Sequence, residues 1–160
     1  MTTEPPPTPG APPSAGSQAL PWLLLAATAG LVDEIHAGTV AEGFTDLRPT
    51  HGFVFVRLTP VGATVGQVAA HLGVTKQAAS QLVEELEQKG SVRRGPHPRD
   101  ARARLVTLTE RGRACTRAAN RAAARAIAAW SEVLGADEIE RMVADLALVA
   151  PPGRVRPAVW

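Results

Sequence analysis

Cysteine is nearly absent from this chain of 160 residues, which contains only Cys115. A single thiol cannot build a disulfide framework or a cysteine-rich zinc site. The four histidines show no metal-ligand spacing, and neither a metal site nor another cofactor is predicted. This cysteine usage fits a reducing compartment, and we expect a cytoplasmic protein.

Catalytic signatures are missing as well. The sequence shows no nucleophile–base–acid set, no glycine-rich phosphate loop and no metal-binding cluster. The acids fall mostly at helical surface positions, such as Glu84, Glu85 and Glu87. An enzyme is therefore not expected.

A membrane segment and a signal peptide are not expected either. The apolar run at residues 19–32 is 14 residues long, whereas a spanning helix needs about 18–20. No lysine or arginine precedes Arg48, so the basic start of a signal peptide is missing. The run is interpreted as a helix packed within a soluble intracellular protein.

Both ends of the chain have little that could build a core. Residues 1–19 carry one charged side chain, Glu4, and six of the 14 prolines fall in the first 13 residues; three more lie in the last ten. Such segments cannot bury enough apolar surface to offset chain entropy. We expect flexible tails at residues 1–19 and 151–160 and a single domain at residues 20–150.

Positive charge is concentrated in one part of the chain. Residues 89–125 contain eleven lysines and arginines against Asp100 and Glu110, a net charge of +9 in a chain whose formal net charge is +2. A localised basic segment is typical of a nucleic-acid-binding surface. Arginines 113, 117, 121 and 125 recur every four residues, so a solvated helix face remains an alternative for them. It explains the arginines of residues 93–104 less well.

Capping signals divide the chain into helices. They are predicted at residues 20–42, from Thr50 to about 58, from Thr64 to Gly73, and at residues 76–89, 110–134 and 136–150. Thr64 and Gln67 have capping-box spacing, and Thr75 can cap the next helix immediately after Gly73. Two short helices joined by so tight a turn predict a helix-turn-helix.

A β-hairpin is predicted after Gly90. Residues 91–94 and 104–108 favour extended backbone, and two prolines exclude a helix between them. We therefore expect short strands joined by a long, basic tip at residues 95–100.

Several motifs occur together in register. They are Val68-Ala69-x-x-Leu72-Gly73-Val74-Thr75, Ser80-Gln81-Leu82-Val83-x-x-Leu86, Gly90-x-Val92-x-Arg94, Asp100-x-Arg102 and Val106-x-Leu108-Thr109-x-x-Gly112. With them the chain resembles the multiple-antibiotic-resistance regulator (MarR) family of winged helix-turn-helix repressors. The resemblance implies a mainly α fold with a small β-hairpin wing, a DNA-binding lobe at about 50–112, and dimerisation helices at 20–42 and 113–150. Ala101 stands where the family often has a basic residue, which puts one wing phosphate contact in doubt.

The polar start of the helix at 76–89 is the predicted base-reading surface. An α-helix fits the major groove of DNA, and residues in its first turns reach base edges. Thr75 is expected to contact a phosphate while capping the helix. The candidates for contact with bases or phosphates on this helix are Lys76, Gln77, Ser80 and Gln81. The alternative is that they are ordinary surface residues.

The hairpin supplies the second predicted contact. Arg102 is expected to enter the minor groove, whose negative potential attracts arginine. Arg94, Arg99 and Arg104 complete the predicted DNA-binding residues of the wing, through sequence-independent attraction to phosphates. Asp100 repels phosphate, so we expect it to pair with Arg94 or Arg102 and position the wing.

Two further surfaces are implied. The apolar first helix and the stripe at residues 139–149 form either a homodimer layer or an intramolecular core. The resemblance also implies a small-molecule effector between that layer and the DNA-binding lobe, where His36, His51 and Phe55 line the crevice or are simply packed. Cys115 is either a small buried residue or a thiol activated by nearby arginine.

The function expected is that of a homodimeric repressor of transcription, which binds a pseudo-palindromic operator in double-stranded DNA and is released by a small molecule. The alternative is a nucleoid-architectural or protein-interaction module that does not read bases.

Overall fold

The computed structural model describes residues 18–98 and 100–150, with only the backbone of Asp100 and Ala101. Within this part of the chain, the elements follow the predicted order. They are α1 (Leu20–Ala41), α2 (Pro49–Leu58), α3 (Val65–Leu72), α4 (Lys76–Gln88), β1 (Val92–His97), β2 (Asp100–Leu108), α5 (Glu110–Leu134) and α6 (Ala136–Val149). The predicted fold class, helices with a β-hairpin wing, is confirmed.

Local signals set the ends of α3 and the start of α4. The Thr64 N–H donates to Gln67 Oε1 at 2.9 Å, and the Gln67 N–H donates to Thr64 Oγ1 at 3.3 Å, which is the predicted capping box. Gly73 ends α3 with a φ of 66°, a left-handed conformation that glycine adopts without strain. Thr75 Oγ1 then accepts the Ala78 N–H at 3.2 Å and opens α4. The helix-turn-helix prediction is confirmed.

The start of α2 differs from the prediction, which placed the cap at Thr50. The N-cap is Arg48, and Pro49 takes the first helical position, where its missing N–H costs nothing. His51 Nδ1 accepts the Arg48 N–H at 3.0 Å. The side chain that accepts a backbone N–H at this end of α2 is therefore the imidazole of His51, which the sequence does not indicate.

The wing is longer than predicted, and its tip is shorter. The antiparallel pairing runs from Val92 opposite Leu108 to His97 opposite Asp100, with an irregularity between Pro96 and His97. Ala63 bridges to Val106 on the other side of β2, so β1 is an edge strand. An edge strand tolerates proline, because one of its sides has no hydrogen bonds to a neighbouring strand. Strand β1 therefore continues through Pro96, where the sequence predicts the tip of the hairpin.

The main core belongs to the helix-turn-helix lobe. Apolar side chains from α2, α3, α4 and both strands form one buried cluster, and its largest fully buried members are Leu58, Leu72, Leu86, Val54, Val68, Val83 and Val106. Burial of this kind stabilises by about 25 cal/mol per Å² of apolar surface. This cluster holds α4 with its polar face outward.

Small residues allow α1 and α5 to approach closely. A Cβ on Gly38 would lie 2.4 Å from Ala122 Cβ, which is closer than two carbons can come. Ala118, Ala122 and Ala126 are the buried stripe of α5. Helix α5 can therefore pack closely against α1 because its buried side chains are small.

Two apolar surfaces are not covered by any part of residues 18–98 and 100–150. In α1, Leu20, Trp22, Leu23, Leu24 and Leu25 are all exposed. Helix α6 has no buried residue, although Val143, Leu146, Leu148 and Val149 are apolar. The alternative that these surfaces form an intramolecular core is wrong for the described chain.

Helix α1 is longer than the apolar run from which a membrane segment was not expected. Helix α1 has 22 residues, and an 18-residue window within it has a mean hydropathy of 1.3, so by length and composition it is long and apolar enough to cross a membrane. The apolar run of residues 19–32 continues as helix through Asp33 and Glu34 to Ala41. One such helix is weak evidence for a membrane segment, since core helices of soluble proteins pass the same criterion. Helix α1 packs on α5, and Gly38 in its second half lies against Ala122, as in a folded domain.

Candidate nucleic-acid interface and adjoining cavity

The first turns of α4 bring the predicted base-contacting residues together. Thr75, Lys76, Gln77 and Gln81 are exposed there, while Ala79, Val83 and Leu86 anchor the opposite side of the helix in the core. Ser80 is half-buried, and its Oγ donates to Glu84 Oε1 at 3.0 Å. The result is an exposed polar surface on a helix whose other face is fixed. Contact of these residues with DNA remains a prediction.

The described arginines of the wing fall into two groups. Arg102 and Arg104 are exposed on β2. Arg94 is half-buried between Glu84 and Glu87 of α4, with N–O distances of 3.6 and 3.5 Å. The described partners of Arg94 thus lie on α4, so this side chain ties the wing to the helix. Arg99 and the side chain of Asp100, with its expected pairing, lie outside the described residues.

The arginines of α5 have acidic neighbours on the helix surface. Glu110 accepts from Arg113 at 3.1 Å and from Arg117 at 2.8 Å, and Glu42 accepts from Arg121. The hydrogen bonds from Arg117 and then Arg113 lower the pKa of Glu110, and the hydrogen bond from Arg121 lowers the pKa of Glu42. Such exposed pairs contribute little stability. For these arginines, a solvated helix face is the better interpretation.

A cavity of about 210 Å³ lies between α1, α2 and α5. His36, His51 and Phe55 all line it, so the structure brings the three predicted effector residues together. Arg48 and Asn120, which the sequence does not predict at this site, line the cavity as well. In the sequence, Asn120 stands out as an isolated amide among the alanines of α5. The residues around Arg48 give no indication that Arg48 lines a cavity.

His51 joins the cavity wall to a cluster of charges. Its side chain is fully buried, and Nε2 lies 3.4 Å from Glu85 Oε1 on α4. Burial lowers the pKa of His51, although the carboxylate of Glu85 opposes this shift, so the imidazole is neutral at pH 7. Glu85 also pairs with Arg48 and, at 2.6 Å, with Lys89. The hydrogen bond from Lys89 is the largest cause of the lowered pKa of Glu85.

Cys115 is buried and lines the same cavity. Burial raises the pKa of its thiol to about 11, despite the nearby Arg111. The thiol is therefore protonated at neutral pH and weakly nucleophilic. Of the two interpretations, the small buried residue is confirmed.

Comparison with known proteins gives the same family from sequence and from structure. The family model described as "MarR family" matches residues 46–103. The transcriptional activatory protein BadR of Rhodopseudomonas palustris is 42% identical over 52 residues, which cover 32% of this chain and 30% of BadR. The matched segment thus spans less than a third of that relative.

Solved structures match over most of the chain. The structure of CouR from Rhodococcus jostii bound to p-coumaroyl-CoA is 27% identical, with a TM-score of 0.69, covering 90% of this chain and all of that one. The transcriptional repressor CouR bound to a 23-mer DNA duplex is 25% identical, with a TM-score of 0.67 over 82% of this chain and 92% of that one. With the capped helix-turn-helix, the paired wing and the flanking helices in place, residues 46–103 match the MarR family model, and the described chain has the winged helix-turn-helix fold of solved MarR-family transcriptional regulators.

Proposed function

We propose that this regulator is a homodimeric repressor that reads a pseudo-palindromic operator through α4 and is released by a small molecule. The observation that carries the proposal is the exposed polar start of α4, held by a buried apolar face and flanked by the arginines of β2. A helix presented in this way fits the major groove, and an adjacent hairpin reaches the minor groove. The described relative CouR has been solved on a DNA duplex, which supports the same use here.

We also propose a role for each segment of the chain. Residues 20–150 form one domain, in which 50–112 are the DNA-binding lobe and 20–42 with 113–150 are the dimerisation helices. Two copies read half-sites about one helical turn apart. The uncovered apolar surfaces of α1 and α6 support a symmetric dimer. The protein acts in the cytoplasm and has no enzymatic role.

The cavity between α1, α2 and α5 supports the proposal that a small-molecule effector binds this protein. It is lined mainly by apolar side chains, as is typical of small-molecule sites, and its polar lining residues are His36, Thr39, Arg48, His51, Thr116 and Asn120. CouR has been solved with p-coumaroyl-CoA bound, so a relative with this fold binds a small molecule. We propose that occupancy of this cavity weakens operator binding.

The test is selection of bound fragments from genomic DNA, followed by affinity measurements on the selected and a random duplex at two salt concentrations. A sequence-specific regulator prefers the selected duplex at both, because base contacts persist when phosphate contacts are screened. Equal affinity for both duplexes would instead favour the architectural alternative. A screen for small molecules that release the selected duplex then tests the effector.

Replacing Arg102 with alanine is expected to weaken binding of the selected duplex about tenfold, because a guanidinium in the minor groove is lost. Fluorescence anisotropy measures the affinity, and sedimentation checks that the oligomeric state is unchanged. Arg141→Ala is the matched control, since it removes the same charge from the surface of α6. Equal losses in the two variants would remove the wing from the mechanism.

Replacing Gln77 with alanine is expected to change which base is preferred within the half-site more than it changes affinity for random DNA. Glutamine pairs bidentately with adenine, and alanine cannot. Repeating the selection with the variant measures this. Gln88→Ala, at the far end of α4, should leave the selected sequence unchanged. A uniform loss across sequences would identify Gln77 as a phosphate contact.

A further inference from the structure

One carboxylate of α4, that of Glu85, contacts two residues that line the cavity. Two polar residues at the start of α2, Arg48 and His51, line the cavity, and both contact Glu85 of α4. Glu85 follows the predicted base contact Gln81 by about one helical turn. A change at the cavity wall can therefore reach α4 through a single acidic side chain.

The contacts of Glu85 differ in their exposure. The side chain of Arg48 is largely exposed, and that of Lys89 is partly exposed, so water screens both ion pairs. His51 is fully buried. Among these three partners of Glu85, His51 is therefore the one whose side chain has no exposure to water.

The tautomer of His51 follows from its hydrogen bonds. Nδ1 accepts the Arg48 N–H, so in the neutral ring the proton is on Nε2. Nε2 lies 3.4 Å from Glu85 Oε1 and 3.5 Å from a terminal nitrogen of the Arg48 guanidinium. Nδ1 of His51 therefore accepts a hydrogen bond at the start of α2, while Nε2 lies beside Glu85 of α4. Rotation of the ring by an occupant of the cavity would change both contacts.

We propose that His51 is the positioning residue through which occupancy of the cavity alters the placement of α4, by way of the Nε2–H and the carboxylate of Glu85. This inference rests on the proposed function, since it explains how an effector would weaken operator binding. An occupant shifts α4 only if it binds the two arrangements of the ring with different affinity. His51 forms part of the cavity wall, so an occupant can touch its ring directly.

The test uses a side chain as a permanent occupant. Ala119 lines the cavity from α5, and Ala119→Phe places an aromatic ring inside it. Ala124→Phe, on the exposed side of the same helix, is the control. Two quantities are measured: amide hydrogen exchange of α4, and the dissociation constant for the selected duplex.

Two replacements of His51 separate its roles. His51→Asn keeps an acceptor near the position of Nδ1 and removes the Nε2–H. His51→Gln keeps a donor near Nε2 and serves as the conservative rescue. Glu85→Gln removes the carboxylate at a site that is not buried, and so gives a second variant with little risk to folding. His71→Asn controls for loss of a buried histidine that does not line the cavity.

We expect Ala119→Phe to change the dissociation constant about fivefold or more in the unmodified background, a typical size for coupling between sites. The change should fall below about twofold with His51→Asn or Glu85→Gln, and persist with His51→Gln or His71→Asn. Hydrogen exchange of α4 should follow the same pattern. Ala124→Phe should change neither quantity.

An unchanged response in the His51→Asn background would overturn the inference, and so would the absence of any response to Ala119→Phe in the unmodified protein. Failure of the proposed function gives a different result. In that case exchange of α4 responds through His51, which supports the coupling, but no duplex is preferred over random DNA.

Discussion

Replacing Gly112 with alanine is expected to lower the free energy of unfolding by about 2–3 kcal/mol, as overpacking of a tight site does. A Cβ at this position would lie 2.2 Å from the carbonyl oxygen of Ser91 and 3.1 Å from Leu108 Cδ2. The first of these is a backbone atom, and the same carbonyl accepts the Thr109 N–H at 3.1 Å. The strand and the start of α5 cannot move apart without breaking that bond. Urea unfolding at one fixed protein concentration measures the change.

Gly52→Ala is the matched control for this prediction. A Cβ on Gly52, within α2, meets nothing within 4 Å. Alanine costs less chain entropy than glycine in a helix, so this variant should be more stable by about 0.5–1 kcal/mol. Equal stabilities of the Gly112→Ala variant and the unmodified protein would show that α5 shifts away from β1 without penalty.

Elements whose ends are set by neighbouring residues were predictable from the sequence. The Thr64–Gln67 capping box, the left-handed Gly73 and the Thr75 cap each act over four residues or fewer, and all three are in place. The helix-turn-helix therefore follows from short-range hydrogen bonding. The sequence shows Gly112 as part of a motif. The atom that requires glycine there, the Ser91 carbonyl oxygen, belongs to a residue 21 positions away in the chain.

Features that depend on distant partners were not predictable in the same way. The wing extends through Pro96 because β1 turns out to be an edge strand, which only the Ala63–Val106 bridge reveals. Arg94 was assigned to DNA, whereas its described partners are glutamates of α4. The Arg48–Glu85 pair joins residues 37 apart. No local pattern encodes such pairs, because they depend on how α2 and α4 pack.

The surfaces left uncovered in α1 and α6 lead to the second prediction. Leu25 is 50% exposed and Leu146 is 39% exposed, although both are large and apolar. We expect the double variant Leu25→Glu with Leu146→Glu to be monomeric, because an unpaired charge in an apolar interface is costly. Since the fold leaves both positions exposed, the monomer should keep its helices. Analytical ultracentrifugation measures the mass, and circular dichroism measures the helix content.

Loss of the proposed dimer should weaken binding of the selected duplex about 100-fold or more, since the second half-site would no longer be bound intramolecularly. Affinity for a duplex with a single half-site should change little, because α4 and the wing are untouched. Val61→Glu is the control: Val61 is 74% exposed, lies between α2 and α3, and should leave the protein dimeric. A double variant that stays dimeric with full affinity would show that the subunits associate through another surface.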